Sequence, residues 1–179
     1  LVSAYSVFAN GGYRVAPGFI DHVTDSSNKV LMQASPVHAG DESIRAIDPR
    51  TAYVMTDLLH GVATYGTAAR VHAVLKRNDI GGKTGTTNES MDAWFSGFTP
   101  VLAGTAWLGY DQPKSLGARE TGGGVALPIW LEYMQEMLKN VPEAKPAPRP
   151  DGLIVDNGEL YFAEYPPGQE VASLGLGGG

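Results

Sequence analysis

The sequence contains no cysteine, so disulfide frameworks, thiolate metal sites and a cysteine nucleophile are all excluded. No run approaches the ~18 apolar residues that a membrane span requires. Basic residues are scarce: 13 Lys plus Arg stand against 19 Asp plus Glu, a formal charge of −6. Nucleic acid is therefore not an expected partner, because phosphate binding needs clustered Lys and Arg. The four histidines, His22, His38, His60 and His72, are scattered, with no H-E-x-x-H and no paired ligand spacing. Neither a metal nor a cofactor is expected. What remains is an ordinary globular composition of 43 % apolar and 18 % charged residues. Its 179 residues amount to about one domain.

The chain opens inside a helical pattern. Leu1, Ala4, Phe8 and Val2, Tyr5, Ala9 repeat at helical spacing, and Asn10-Gly11-Gly12 supplies the stop. A helix that starts without a lead-in suggests a fragment of something longer. Phe19 to Thr24 and Val30 to Gln33 read as a hairpin around Asp25-Ser26-Ser27-Asn28. Asp48-Pro49 is an N-cap followed by Pro at the first helical position. That helix runs through Val54, Leu58, Leu59 and Val62 and is expected to end at Gly61 or Gly66. Asp79 to Thr87 is a strand candidate. Ala93 to Phe98 and Val101 to Tyr110 form the arms of a hairpin turning at Thr99-Pro100. Gly122-Gly123-Gly124 is expected to break the chain before an amphipathic helix over residues 126–139. The apolar face of that helix is read as Ile129, Trp130, Tyr133, Met134, Met137 and Leu138.

Composition shifts after Val141. Pro142, Pro146, Pro148 and Pro150 make a semi-rigid linker. Leu153 to Val155 and Glu159 to Ala163 then flank Asn157-Gly158, a strong hairpin signal. The Gly-rich end, Gly175 to Gly179, reads as a flexible tail or a cloning remnant. The domain division expected is 1–140, with a linker, hairpin and tail over 141–179. Three consecutive strands followed by a helix predict an α+β fold, an antiparallel sheet covered by helices.

One motif carries chemistry: Lys83-Thr84-Gly85-Thr86-Thr87, preceded by Gly81-Gly82. Lys-Thr-Gly arises by chance roughly 0.05 times in a chain of this composition, and it is a motif of serine-active penicillin-recognising enzymes. A cationic Lys favours the carboxylate that ends a D-Ala-D-Ala peptide or a β-lactam, and Thr hydroxyls add hydrogen bonds to it. Glycine lets a substrate backbone approach without a Cβ clash. A free strand edge lets an acyl-peptide lie as an added strand. A backbone N–H just after the Gly can donate to a developing oxyanion, worth about 3 kcal/mol where such donors have been removed. The alternative is a Gly/Thr-rich loop with one surface Lys.

The surroundings separate these readings. Asp92-Ala93-Trp94-Phe95, Gly97-Phe98-Thr99-Pro100 and Trp107-Leu108-Gly109 follow the motif. Thr121-Gly122-Gly123, Ala126, Pro128-Ile129-Trp130 and Met134 come next, and Phe8-Ala9-Asn10-Gly11-Gly12 precedes it. Over residues 1–140 this ordered series resembles the C-terminal half of class A penicillin-binding proteins, the bifunctional peptidoglycan synthases. Trp94, Phe95, Trp107 and Trp130 are read as core residues rather than catalysts.

The resemblance implies a penicillin-binding/serine β-lactamase-like fold and a serine-type D-Ala-D-Ala transpeptidase. A Ser would attack the penultimate D-Ala carbonyl, and an amine from a neighbouring stem peptide would resolve the acyl-enzyme. Matched motif by motif, Lys83 carries the cationic anchor and helps proton traffic, and Thr86 supplies one oxyanion N–H. Thr84, Gly85, Thr86 and Thr87 bind substrate. The implied partners are peptidoglycan stem peptides, β-lactam antibiotics and the upstream part of the same protein. The implied location is the periplasmic face of the inner membrane, reached through an N-terminal anchor absent from these residues.

The family's Ser-x-x-Lys and Ser-x-Asn elements are expected upstream of Leu1. Ser26-Ser27-Asn28-Lys29 satisfies both patterns, but each is expected roughly 0.3 times by chance in this composition. One Ser cannot serve both elements, and this one sits in a turn, so Ser26 is rejected as the nucleophile. Without the upstream part, the sheet face carrying Trp94, Phe98 and Trp107 is expected to stay largely in water. The resemblance leaves two other readings, a non-catalytic sensor that kept the fold and a serine β-lactamase or D,D-carboxypeptidase. A third, a structural interaction domain, has only the tail hairpin in its favour.

Overall fold

The computed structural model describes residues 1–168. The Gly-rich stretch read as a tail, Gly175 to Gly179, lies outside the described residues. Among the described residues four α-helices and seven strands follow one another as α1 Val2–Ala9, β1 His22–Thr24, β2 Val30–Gln33, α2 Pro49–Thr64, α3 Arg70–Leu75, β3 Gly81–Thr86, β4 Asp92–Thr99, β5 Leu102–Gly109, α4 Leu127–Met137, β6 Leu153–Asp156 and β7 Glu159–Phe162. The central sheet is β3-β4-β5, antiparallel throughout. Two further hairpins, β1-β2 and β6-β7, stand apart from it.

Local chemistry accounts for most of these boundaries. Asp48 caps α2 by accepting the Arg50 N–H at 2.8 Å, and Pro49 opens the first turn, where a missing N–H costs nothing. Gly61 lies inside α2 and is buried. The helix stops at Thr64, and the Tyr65 and Gly66 N–H groups both return to the Gly61 carbonyl. Asn157 and Gly158 take positive φ values of 50° and 87°, as a two-residue turn between β6 and β7 requires.

The two faces of the sheet are covered differently. On one face, β4 and β5 pair Gly97 directly with Gly104, and this cross-strand pair forms a slot for Trp130 of α4. A Cβ on Gly97 would lie 2.7 Å from the indole, so only glycine admits it. Trp130 donates its Nε1–H to the Gly104 carbonyl at 3.1 Å and meets Phe95 edge-on at 4.9 Å. Phe95, Leu127, Trp130, Leu131 and Met134, together with Ala63, Ala68 and Val71, make up this core. On the opposite face Phe98 packs against Tyr5 of α1 and His60 of α2.

Three sequence expectations are corrected. Gly122-Gly123-Gly124 does not break the chain. It forms a π-helical turn over Gly122–Ala126 that runs into α4, with the Thr121 hydroxyl accepting the Gly124 N–H. That entry aims the Leu127, Trp130, Leu131, Met134 and Leu138 stripe at the sheet, and leaves Ile129, Tyr133 and Met137 exposed. The third concerns the aromatic residues. Phe98 is buried because α1 and α2 cover its end of the sheet, whereas Trp107 is 45 % exposed and Trp94 half-buried, beyond the reach of those helices.

The segment after α4 is tied back onto the sheet. Arg77 and Asp79, just before β3, form a buried ion pair at 2.7 Å. Arg77 also donates to the Val141 and Pro142 carbonyls, and Asp79 accepts the Ala144 N–H. Burial pushes the Asp79 carboxyl up, but the bonds from Arg77 and Ala144 outweigh it and leave the group below its ordinary value. The β6-β7 hairpin touches the start of α2, where Arg50 pairs with Glu164 at 2.8 Å and lies over the Phe162 ring.

Candidate active site

The first half of β3 is enclosed. Ile80, Gly81 and Gly82 are buried under α2 and the aromatic side chains of β4. A Cβ on Gly81 would lie 2.7 Å from the Phe98 ring, and one on Gly82 would lie 2.7 Å from Phe95. From Lys83 onward the strand emerges: Lys83 and Thr86 are exposed, and Thr84 and Gly85 half-buried.

Because β3 pairs only with β4, its other edge is free among the described residues. The amide directions follow from the register. Thr87 donates its N–H to the Asp92 carbonyl, and the 87/92 pair continues the unbroken Thr86–Ala93 register. Backbone groups alternate along a strand, so the amides of Thr84 and Thr86 point away from β4, toward the open edge.

The side chains gather at the same edge. Lys83 Nζ donates to the Thr84 carbonyl at 2.8 Å and reaches its hydroxyl at 3.4 Å. Among the described residues no carboxylate pairs with Lys83, so its charge is available to an incoming anion. The Thr84 hydroxyl lies 3.1 Å from that of Thr67. Thr86 Oγ1 accepts the Gly122 N–H at 2.9 Å and keeps its own proton to donate. Thr87 Oγ1 accepts the Asp92 N–H at 2.7 Å, which engages it in the turn at the end of the strand. Gly122 is seated on the strand backbone itself, since a Cβ there would lie 2.4 Å from the Gly85 carbonyl oxygen and 2.3 Å from that of Trp94.

Lys83, Thr84, Gly85 and Thr86 are therefore consecutive positions on the strand with the open edge, and Thr87 follows it, tied to Asp92 in the turn. Two neighbours were missed from the sequence, Thr67 beyond the end of α2 and Gly122 in the π-helical turn. Both reach the motif from far along the chain, and no local spacing announces them. Ser26 lies in the exposed turn between β1 and β2, where Asp25 accepts the Ser27 and Lys29 N–H groups and the Ser27 hydroxyl. Every residue of those two strands is exposed. Among the described residues no cluster of three His, Asp or Glu could hold a metal, and no helix is long and apolar enough to cross a membrane.

Trp94 and Trp107 face each other across β4 and β5, 5.7 Å apart, on the face that carries Lys83. The Trp107 Nε1–H donates to Asp92 at 2.8 Å. This pair borders the open end of the motif strand.

Comparison with known proteins identifies the family. Residues 1–135 match the family described as "Penicillin binding protein transpeptidase domain". The chain is 46 % identical over 165 residues to "Penicillin-binding protein 1A" of Neisseria lactamica, covering 92 % of this chain and 20 % of that protein. It is 39 % identical over 199 residues to the protein of the same name in Pseudomonas aeruginosa, covering 86 % of this chain and 24 % of that one. The crystal structure of Penicillin-Binding Protein 1A from Haemophilus influenzae superposes with a TM-score of 0.79 at 32 % identity, covering 86 % of this chain and 28 % of that one. The chain thus spans about a fifth of the length of the curated relatives it matches. With the motif strand, its flanking aromatic residues and the α+β architecture all in place, the chain belongs to the penicillin-binding protein transpeptidase family.

Proposed function

We propose that residues 1–140 form the Lys-Thr-Gly wall of a serine-type D-Ala-D-Ala transpeptidase, followed by an accessory segment over 141–179. The observation that carries this reading is the open half of β3. There an ammonium with no carboxylate partner among the described residues, two hydroxyls and an outward amide share one strand edge.

A stem peptide lies along that edge as an added strand, and Gly85 leaves room for its backbone. Its terminal carboxylate meets Lys83 and the hydroxyls of Thr84 and Thr86 in charge-assisted bonds. A Ser upstream of Leu1 attacks the penultimate D-Ala carbonyl, and the carbonyl electron pair moves onto oxygen. The outward N–H of Thr86 donates to that oxyanion, with the nucleophile's own N–H as the second donor. Collapse expels D-Ala, its amine taking up a proton, and leaves the acyl-enzyme. An amine of a second stem peptide then attacks the ester and releases the Ser. Lys83 sits at the carboxylate end of this path and supports proton transfer there. Thr87 contributes the shape of the strand end. β-Lactams acylate the same Ser. The parent protein works at the periplasmic face of the inner membrane, held there by an upstream anchor.

The test is to label the parent protein with a fluorescent penicillin, digest it and map the labelled peptide. Label upstream of Leu1 is the expected result. Label on the peptide containing Ser26 contradicts it, and the absence of label favours a non-catalytic sensor.

A further inference from the structure

We propose that Thr67 is a positioning residue for the substrate carboxylate, acting through the hydroxyl of Thr84. The proposal deepens the reading of the Lys-Thr-Gly edge given above and rests on it. Thr67 lies just beyond the end of α2, outside the motif, and is exposed. Its Oγ1 is 3.1 Å from Thr84 Oγ1, across a separation of 17 residues. The placement is built rather than incidental. The Ala68 N–H donates to the Val62 carbonyl, and the buried Ala68 and Val71 side chains, both just after the exposed Thr67, pin the turn into the core. On the other side of the two hydroxyls, a Cβ on Gly123 would lie 3.6 Å from the Thr67 carbonyl oxygen and 3.7 Å from the Thr84 methyl.

The chemistry follows from counting protons and lone pairs. A threonine hydroxyl has one proton to give and two lone pairs that accept. An ammonium can only donate, so Lys83 Nζ takes one Thr84 lone pair at 3.4 Å. When Thr67 donates to the second, both acceptor sites of Thr84 are filled. Its one proton must then point outward, to the open edge where the carboxylate arrives. Without Thr67 the Thr84 hydroxyl is free to rotate and to give its proton elsewhere. Thr67 thus sets the direction of a hydrogen bond made by its neighbour and touches no reacting atom.

The experiment measures the second-order rate of acylation by benzylpenicillin in the parent protein, with Thr67→Val, Thr67→Ser, Thr84→Val and the Thr67→Val/Thr84→Val double variant. Thr67→Val is expected to slow acylation about fivefold, the effect of one lost neutral hydrogen bond, at an unchanged thermal midpoint. Thr67→Ser keeps the donor and restores the parent rate. In the Thr84→Val background Thr67→Val has no further effect, because the group it orients is gone. A parental rate in Thr67→Val, failure of serine to rescue, or a full additional loss in the Thr84→Val background each overturns the positioning role. A parental rate in Thr84→Val overturns the reading of the motif edge as well, so the two failures are told apart.

Discussion

Gly81 and Gly82 sit under aromatic rings with no room for a methyl group, whereas Lys83, the next residue on the same strand, stands in solvent. The first half of β3 resembles any core strand, its residue types dictated by what presses on them. In the second half only Gly122 and Trp94 come close, at Gly85, and the Lys83 and Thr86 side chains stand in solvent. A lysine without an acid partner and a strand edge without a pairing strand among the described residues bring no stability there, and exposed edges are a liability that proteins ordinarily cover. Residue types that packing does not explain mark the place where function set the sequence. The same contrast recurs across the sheet, where Trp130 is sealed into a glycine slot while Trp107 remains 45 % exposed.

This comparison breaks most visibly in the packed half. Trp130→Ala removes the indole from between Gly97 and Gly104 and is expected to cost about 4 kcal/mol, read by denaturant unfolding of the parent's transpeptidase domain. A loss below about 1 kcal/mol would mean that the slot holds little of the core together. Asp79→Ala strands the Arg77 guanidinium, which loses two of its four hydrogen bonds with that carboxylate. The expected cost is about 3 kcal/mol, as for other buried pairs broken on one side. Proteolysis should then reach residues 141–144 before the sheet. Gly82→Ala forces a methyl to within 2.7 Å of Phe95 and 2.9 Å of the Ser96 carbonyl, for a cost of about 2 kcal/mol in the same assay.

A smaller effect lies at the joint between the segment after α1 and the turn before α2. There Arg45, and then Tyr13, hold the Glu42 carboxyl down to about 2 from its usual 4.5. A carboxyl depressed in the folded state stabilises fully above its unfolded pKa, and that contribution is lost as the pH falls through the folded value. The gap in thermal midpoint between the parent and Glu42→Gln should therefore be constant above pH 5 and close between about pH 4.5 and 2. A gap that persists at pH 2 would show that the carboxylate's bonds to Arg45 and Tyr13 do not matter to the fold.

What could be read without coordinates had local causes. Asp48-Pro49 begins α2 through a bond two residues away, and Asn157-Gly158 turns β6 into β7 because both accept positive φ. The Lys-Thr-Gly strand was legible because its residue types are not those that packing alone selects. Features set by distant neighbours were not. α3 has only six residues and was not anticipated, since it owes its existence to packing between α2 and α4. The apolar residues of α4 fit two overlapping stripes that share Trp130, Met134 and Leu138. Periodicity does not choose between them, and in the fold, where the π-helical turn leads into α4, Leu131 is buried and Ile129 exposed. Thr67 and Gly122 reach the site through contacts spanning 17 and 36 residues, and although Thr121-Gly122-Gly123 marks the family series, no local spacing tells that Gly122 meets Thr86.

The most direct test of the contrast sets two readings of one variant side by side: the acylation rate of Lys83→Ala in the parent protein and its thermal midpoint. Lys83 is exposed and among the described residues makes hydrogen bonds only to its neighbour Thr84, so the midpoint should shift no more than an ordinary surface substitution allows, a stability change of about 0.5 kcal/mol. Acylation by penicillin should fall by at least about tenfold, as the loss of a charge-assisted anchor demands. A variant that unfolds early would place Lys83 with the packed half of the strand. One that keeps both its stability and its acylation rate would contradict the assignment of the open edge as the substrate wall.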